Sequence, residues 1–262
     1  MAIYHCSIKV ISRGKGKSAV AAAAYRAGEK ITNQFDGMTH DYTHKGGVVH
    51  TEILLPDHAP AEYADRAVLW NEVEKIEKAK NAQLAREIEI SLPRELTREQ
   101  SISLVREYVK RHFVAAGMCA DVCLHDTGGG NPHAHIMLTM RPFDEGGEWG
   151  AKQKKEYILD RDGNKIYDPK KRQYKCKSIP ATDWNEQTKA EEWRAAWARL
   201  CNQTLEQYEH AERIDHRSYE RQGINQIPTV HLGVAASAME KRGIRTGRGD
   251  LNREIEVTNQ KL

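Results

Sequence analysis

Hydrophobic and polar positions alternate with a period of two in three stretches of the chain, and longer stretches between them follow a helical period. In residues 2–11, Tyr4, Cys6, Ile8 and Val10 alternate with His5, Ser7 and Lys9, which predicts a strand. Residues 83–92 predict a second strand, with Leu84, Ile88, Ile90 and Leu92 on one face, interrupted by Arg86, and Glu87 and Glu89 on the other. The third alternation occupies residues 118–125 and resumes at 133–138, on either side of Thr127-Gly128-Gly129-Gly130-Asn131. An antiparallel hairpin over this turn places Cys119, Asp121, Cys123 and His125 on one face of the first run, and His133, His135 and Met137 on one face of the second.

Helical patterns fill the intervals. Ser18 caps an alanine-rich helix over residues 19–29 that carries one large side chain, Tyr25. Residues 59–80 place Ala67, Trp70, Val73 and Ile76 at turn spacing, and residues 36–56 read as strand and turn. Thr97-Arg98-Glu99-Gln100 is a capping box opening a helix to residue 116, where Gly117 ends it. Residues 184–208 form a long amphipathic helix along Trp193, Trp197, Leu200 and Leu205. This order implies an α/β (α+β) sandwich: an antiparallel-rich central sheet with helices packed on one face and a polar working face on the other.

Composition narrows the class. With 262 residues and 39% hydrophobic side chains the chain can bury a real core, and its formal charge of +3 does not by itself announce nucleic acid. Five scattered cysteines, an odd number with no signal peptide ahead of them, point to a reducing cytoplasm. The alanine-rich run at residues 19–25 is far too short to span a bilayer, so no membrane insertion is expected. No internal repeat is visible, and residues 1–262 are expected to form one domain. That domain includes a basic hairpin insertion at 149–178 and a basic C-terminal segment at 210–262 with Arg242, Arg245, Arg248 and Arg253.

The charge distribution is more telling than the total. Within residues 149–178 a hairpin signature, Arg161-Asp162-Gly163-Asn164, sits among Lys152, Lys154, Lys155, Lys170, Lys171 and Arg172. Tyr157, Tyr167 and Tyr174 are interleaved with these cations, a pattern suited to a single strand whose bases stack while its phosphates are neutralised. Arg13, Lys15 and Lys17 precede the Tyr25 helix in a glycine-rich stretch. It is not a nucleotide-binding loop, because Ile11 stands where the first glycine of that motif belongs, but its cations near a helix start suit a phosphate backbone.

The hairpin carries the candidate chemistry. A His-x-His pair in a strand is commonly just hydrogen-bonded; His125, brought beside His133 and His135 by the turn, makes an open three-histidine metal site the stronger reading. Imidazoles favour Mn²⁺, Zn²⁺ or Ni²⁺ by chemistry, and cellular supply points to Mn²⁺ or Mg²⁺. Such an ion would polarise a phosphate oxygen, leaving either a bound water or a side chain to attack. Tyr25 is a candidate for that side chain, against the ordinary alternative of a core tyrosine.

Five ordered motifs together resemble the MobA/MobL mobilisation relaxases of the HUH endonuclease superfamily. They are Ala2-Ile3-Tyr4-His5, the helix with Tyr25, Arg86-Glu87-Ile88 leading to Leu92-Pro93, the Gly128–Ile136 run, and Asp215-His216-Arg217-Ser218 with His231-Leu232-Gly233. The resemblance implies metal-dependent, strand-specific nicking of single-stranded DNA at an origin of transfer, with the tyrosine left on the 5′ phosphate. It implies Tyr25 as nucleophile, His125, His133 and His135 as metal ligands, and Glu87 as the acidic residue, with Glu89 as its alternative on the same face. It also implies accessory relaxosome proteins and a type IV secretion coupling protein as partners. A rolling-circle initiator or single-strand transposase with the same residues, and a water-using metal hydrolase, are the competing expectations.

Overall fold

The computed structural model describes residues 3–262, so the expected start of the first strand at Ala2 lies outside the described residues. Two compact units are present, Met1–Asp215 and His216–Leu262.

The larger unit is built on a five-stranded sheet. Its strands are β1 (Cys6–Ser12), β4 (Val48–Leu54), β5 (Gln83–Ser91), β6 (Ala120–His125) and β7 (His133–Leu138), after the short ribbon β2 (Lys30–Thr32) and β3 (Thr39–Asp41). The spatial order is β1-β5-β7-β6-β4 and every pairing is antiparallel. The helices are α1 (Ala19–Ala27), α2 (Arg66–Ile76), α3 (Arg98–Val109) and α4 (Gln187–Gln207).

Both faces of this sheet carry helices, where helices were expected on one face and a polar working face on the other. On one side Ile88, Ile90, Val122, Leu124 and Ile136 pack beneath Tyr108 and Phe113 and beneath Trp193 and Trp197 of α4. On the other, Ile11, Ala85, Cys119 and Met137 pack with Ala19, Val20 and Ala23 of α1 and with Leu69 and Trp70 of α2. The alanines of α1 are what permit this second layer, since a helix with small side chains approaches a sheet closely. Polar side chains on that face are buried and paired. Asp121 accepts from the Arg66 guanidinium at 2.8 and 2.9 Å and from the Trp70 indole at 2.8 Å.

Several boundaries move for local reasons. The helix expected over 59–80 is a 3₁₀ turn (Ala61–Ala64) followed by α2, because the Asp65 carboxylate caps a fresh start by accepting from Val68 N. The Thr97 capping box forms, and α3 passes into a π turn (Lys110–Val114) before Gly117. Arg86 turns into the α4 side, where its guanidinium donates to Asn185 Oδ1 and lies 5.2 Å from the Trp193 ring; burial lowers its pKa to about 10.

The basic insertion is a ladder of β8 (Gln153–Tyr157) against β11 (Cys176–Pro180), with β9 (Tyr167–Asp168) against β10 (Gln173–Tyr174) further out. The smaller unit holds α5 (Tyr219–Gln222), α6 (Gly233–Lys241) and α7 (Gly247–Asn259), the last two tied by Glu240 Oε2 accepting from Arg253 at 2.9 Å. Among the described residues no helix is long and apolar enough to cross a membrane.

Candidate active site

The β6–β7 register sets His125 directly opposite His133 and Cys123 opposite His135. Because side chains alternate along each strand, the three imidazoles emerge on one face, at the hairpin end of the sheet. Ring centroids are 4.8 Å apart for His125 and His135, 5.1 Å for His133 and His135, and 5.3 Å for His125 and His133. One nitrogen from each ring lies within 4.8 Å of the other two.

Hydrogen bonds from outside the cluster decide which nitrogen each ring keeps free. His133 Nδ1 stands 2.8 Å from the Asn131 carbonyl oxygen, and His135 Nδ1 stands 2.9 Å from Glu87 Oε1. His125 Nε2 stands 2.6 Å from the Arg26 carbonyl oxygen. Each of these oxygens can only accept, so each bonded nitrogen carries the proton. In the neutral rings the lone pairs therefore belong to Nε2 of His133, Nε2 of His135 and Nδ1 of His125. Burial pushes His125 down to about 4, with the nearby Lys45 cation and the other two imidazoles adding to it and the Arg26 carbonyl opposing it. That ring is neutral at physiological pH. Imidazole nitrogens oriented in this way are the kind of donors a divalent ion takes, and the outward bonds are the orienting contacts that ligating histidines ordinarily make.

Glu87 projects from β5 onto the same face. Its Oε1 receives His135 Nδ1–H and also the Arg26 Nε–H at 2.6 Å. Burial alone would raise this carboxyl, but the hydrogen bonds from His135 and Arg26 and the Arg26 charge outweigh it and bring it to about 2. Glu89 is turned towards Lys9, which donates to it at 3.2 Å, and His5, at 4.0 Å. A second grouping of Glu87, Glu89 and His135 also brings one donor from each within 4.8 Å.

Tyr25 and Arg26 belong to the last turn of α1. The last carbonyls of a helix have no partner inside it, and here they are satisfied by this cluster. The Arg26 carbonyl meets His125, and the Tyr25 carbonyl accepts from Lys45 Nζ at 2.9 Å. The Tyr25 side chain is 48% exposed, so it is not a core tyrosine; its ring meets Tyr42 edge-on at 5.2 Å. Lys45 Nζ lies 4.1 Å from the centre of the Tyr25 ring and 3.5 Å from His125 Nε2, spanning phenol and histidines.

Lys45 is held there by its loop. Gly47 N–C geometry is left-handed, with φ of 84°, and a Cβ on it would stand 2.7 Å from the Thr127 methyl. Its carbonyl accepts from Asp126 N at 2.8 Å, docking the loop on the end of β6. Neither Lys45 nor Arg26 stood out in the sequence. The signals were the Gly46-Gly47 pair directly after Lys45 and the arginine beside the candidate tyrosine.

The basic residues divide. Arg13 donates to Glu74 Oε2 at 2.8 Å and to the Glu77 and Ala79 carbonyls, and Lys152 pairs with Glu77 at 2.8 Å. Both are half-buried braces between elements. Lys15, Lys17, Lys154, Lys155, Lys170, Lys171 and Arg172 are exposed.

Residues 17–242 match the model of the MobA/MobL family. The whole chain is 39% identical over 277 residues to a probable mobilization protein MobA of Bifidobacterium longum, of which it spans 48%. It is 41% identical over 273 residues to the conjugal transfer protein TraA of Agrobacterium fabrum, of which it spans 24%. A solved structure described as "Molecular Basis of Vancomycin Resistance Transfer in Staphylococcus aureus" superposes on 83% of this chain and all of its own, with a TM-score of 0.71 and 33% identity.

Proposed function

The chain belongs to the MobA/MobL family, and from that membership we propose that it is a relaxase that nicks one DNA strand at an origin of transfer through a 5′-phosphotyrosyl intermediate. One observation supports this most: the last turn of α1, which presents Tyr25, is hydrogen-bonded through the Arg26 carbonyl to one of three histidines whose donor atoms converge. A divalent ion held by His125, His133 and His135, Mn²⁺ or Mg²⁺ in the cell, would polarise the non-bridging oxygens of the scissile phosphate.

The protein's own groups do the rest. The Tyr25 oxygen forms an O–P bond as its proton passes to water, while the bond to the 3′ oxygen breaks and that oxygen takes a proton from water and leaves as a hydroxyl. Lys45, beside the Tyr25 ring, sets a positive charge where the negative phosphate would lie. Glu87 fixes the tautomer of His135 and, through Arg26, ties that histidine to the tyrosine helix. The phosphotyrosine conserves the bond energy, so the reverse attack by a 3′ hydroxyl rejoins the strand. In this reading the partners are single-stranded DNA of an origin of transfer, accessory relaxosome proteins and a type IV secretion coupling protein, and the cytoplasm is where the reaction takes place.

The test is a denaturing gel of protein incubated with labelled single-stranded origin DNA and Mn²⁺. A covalent adduct is expected with the wild type, and EDTA or Tyr25→Phe should abolish it. Cleavage that persists in Tyr25→Phe would assign attack to water instead.

A further inference from the structure

A pocket of about 440 Å³ opens on the other side of the hairpin end from the imidazoles. Its wall includes Leu124, whose side chain lies on the opposite face of β6 from His125, together with Val49, Leu92 and Leu96. Arg94 and Arg98 stand at it, exposed, and neither has an ion-pair partner among the described residues. Arg94 lies flat against the glycine-rich turn: a Cβ at Gly130, where φ is 79°, would come within 3.0 Å of its guanidinium carbon. The residue linking the two places is His125, which both lines this pocket and belongs to the histidine cluster.

We propose that this pocket receives one nucleobase of the single strand next to the scissile phosphate, with the flanking phosphates held outside by Arg94 and Arg98. Resting on the relaxase reading, the inference adds a base-binding site to it. The lining is mixed: Val49, Leu92, Leu96 and Leu124 offer apolar surface to the face of a base while the polar side chains meet its edge, and the volume falls in the range of about 300–1,000 Å³ usual for small-molecule sites. The Glu99 and Asp126 carboxylates at the lining accept from an exocyclic amino group and repel phosphate. The Arg94 and Arg98 guanidiniums beside the pocket supply the complementary charge for the backbone. A strand bent over the glycine-rich turn would thus be gripped on both faces of the sheet, which fixes the position of the phosphate between them.

The experiment measures binding by fluorescence anisotropy in EDTA, with fluorescein-labelled oligodeoxyadenylate and an abasic deoxyribose-phosphate strand of the same length. Wild-type protein should prefer the base-bearing strand by about tenfold or more. The tyrosines of residues 149–178 are first removed together (Tyr157→Ser with Tyr167→Ser and Tyr174→Ser), and in that background Val49→Trp, which fills the pocket from an edge strand, should bring the ratio close to one. Arg94→Ala with Arg98→Ala should weaken both strands by the same factor and leave the ratio as it was. A ratio that survives Val49→Trp in a protein whose melting curve remains cooperative overturns the pocket. The covalent adduct is read separately: its loss from wild type refutes the relaxase reading, whereas an unchanged ratio with the adduct intact refutes the pocket alone.

Discussion

Glu87 acts on two elements through a single oxygen, and the consequences can be measured at the level of the residue. Glu87→Gln keeps a carbonyl for His135 Nδ1–H but removes the charge that holds Arg26 and strengthens the imidazole as a donor. Affinity for Mn²⁺, read by titration calorimetry, should fall about 10- to 100-fold, the usual cost of losing such an orienting partner. Equal affinity in the variant would remove Glu87 from the site. His125 carries the second prediction. Its folded-state pKa of about 4 lies below the unfolded value of about 6.5, so the unfolded chain takes up the proton first. The stability this ring contributes is complete above the unfolded value and is lost as pH falls through the window down to the folded one. The carboxyl of Glu87, brought down to about 2, loses its contribution in the adjoining window below about 4.3, again as pH falls. In metal-free urea unfolding, His125→Asn should flatten the upper window by about 1.4 kcal/mol per pH unit. A slope identical to wild type would mean that this histidine is not held neutral.

At the scale of elements, the hairpin is what the sequence made legible. A period of two, a glycine-rich turn and three histidines at positions of the same parity determine which rings meet once the strands pair. The covering of the second sheet face was not legible, and the reason lies in particular residues. Nothing in the strand pattern says that Glu87 and Asp121 are buried, because isolated carboxylates belong in water. Their partners, Arg26 on α1 and Arg66 on α2, come from other elements, so nothing along the strand reports them. The alanines of α1 likewise give no strong apolar stripe, although Ala19, Ala23 and Ala24 are fully buried. Lys45 depended on a loop conformation, and that conformation is open to test. Gly47→Ala should cost about 1–2 kcal/mol for a left-handed alanine and more for its contact with the Thr127 methyl. In a Thr127→Ser background the methyl is gone, and chemical denaturation should show only the backbone part of that cost. Equal costs in the two backgrounds would mean that the loop relaxes away from β6.

Across the whole molecule, charge is concentrated where the fold is least buried. Between positions 149 and 178 there are ten basic and four acidic residues, although the entire chain carries only +3. Some of that charge is spent internally: Lys152 braces Glu77, Lys177 pairs with Glu156 at 2.6 Å, and Lys165 covers the Tyr157 ring at 4.0 Å. Lys154, Lys155, Lys170 and Lys171 remain exposed on a ladder whose tyrosines, Tyr157, Tyr167 and Tyr174, are exposed too. A single strand lying along this ladder would release a counterion for each phosphate it gives to a lysine, and the logarithm of affinity would fall with the logarithm of salt by about 0.7 per contact. Replacing the four lysines with glutamine should therefore flatten the salt dependence by up to about 3 in slope, measured by anisotropy with single-stranded DNA. Calorimetric Mn²⁺ affinity should not change, because the histidine cluster is carried by β6 and β7 and takes no bond from this ladder. An unaltered slope would place the strand elsewhere on the surface, with Lys15 and Lys17 before α1 the next cations to neutralise, since they are exposed near the start of the helix that ends at Tyr25 and Arg26.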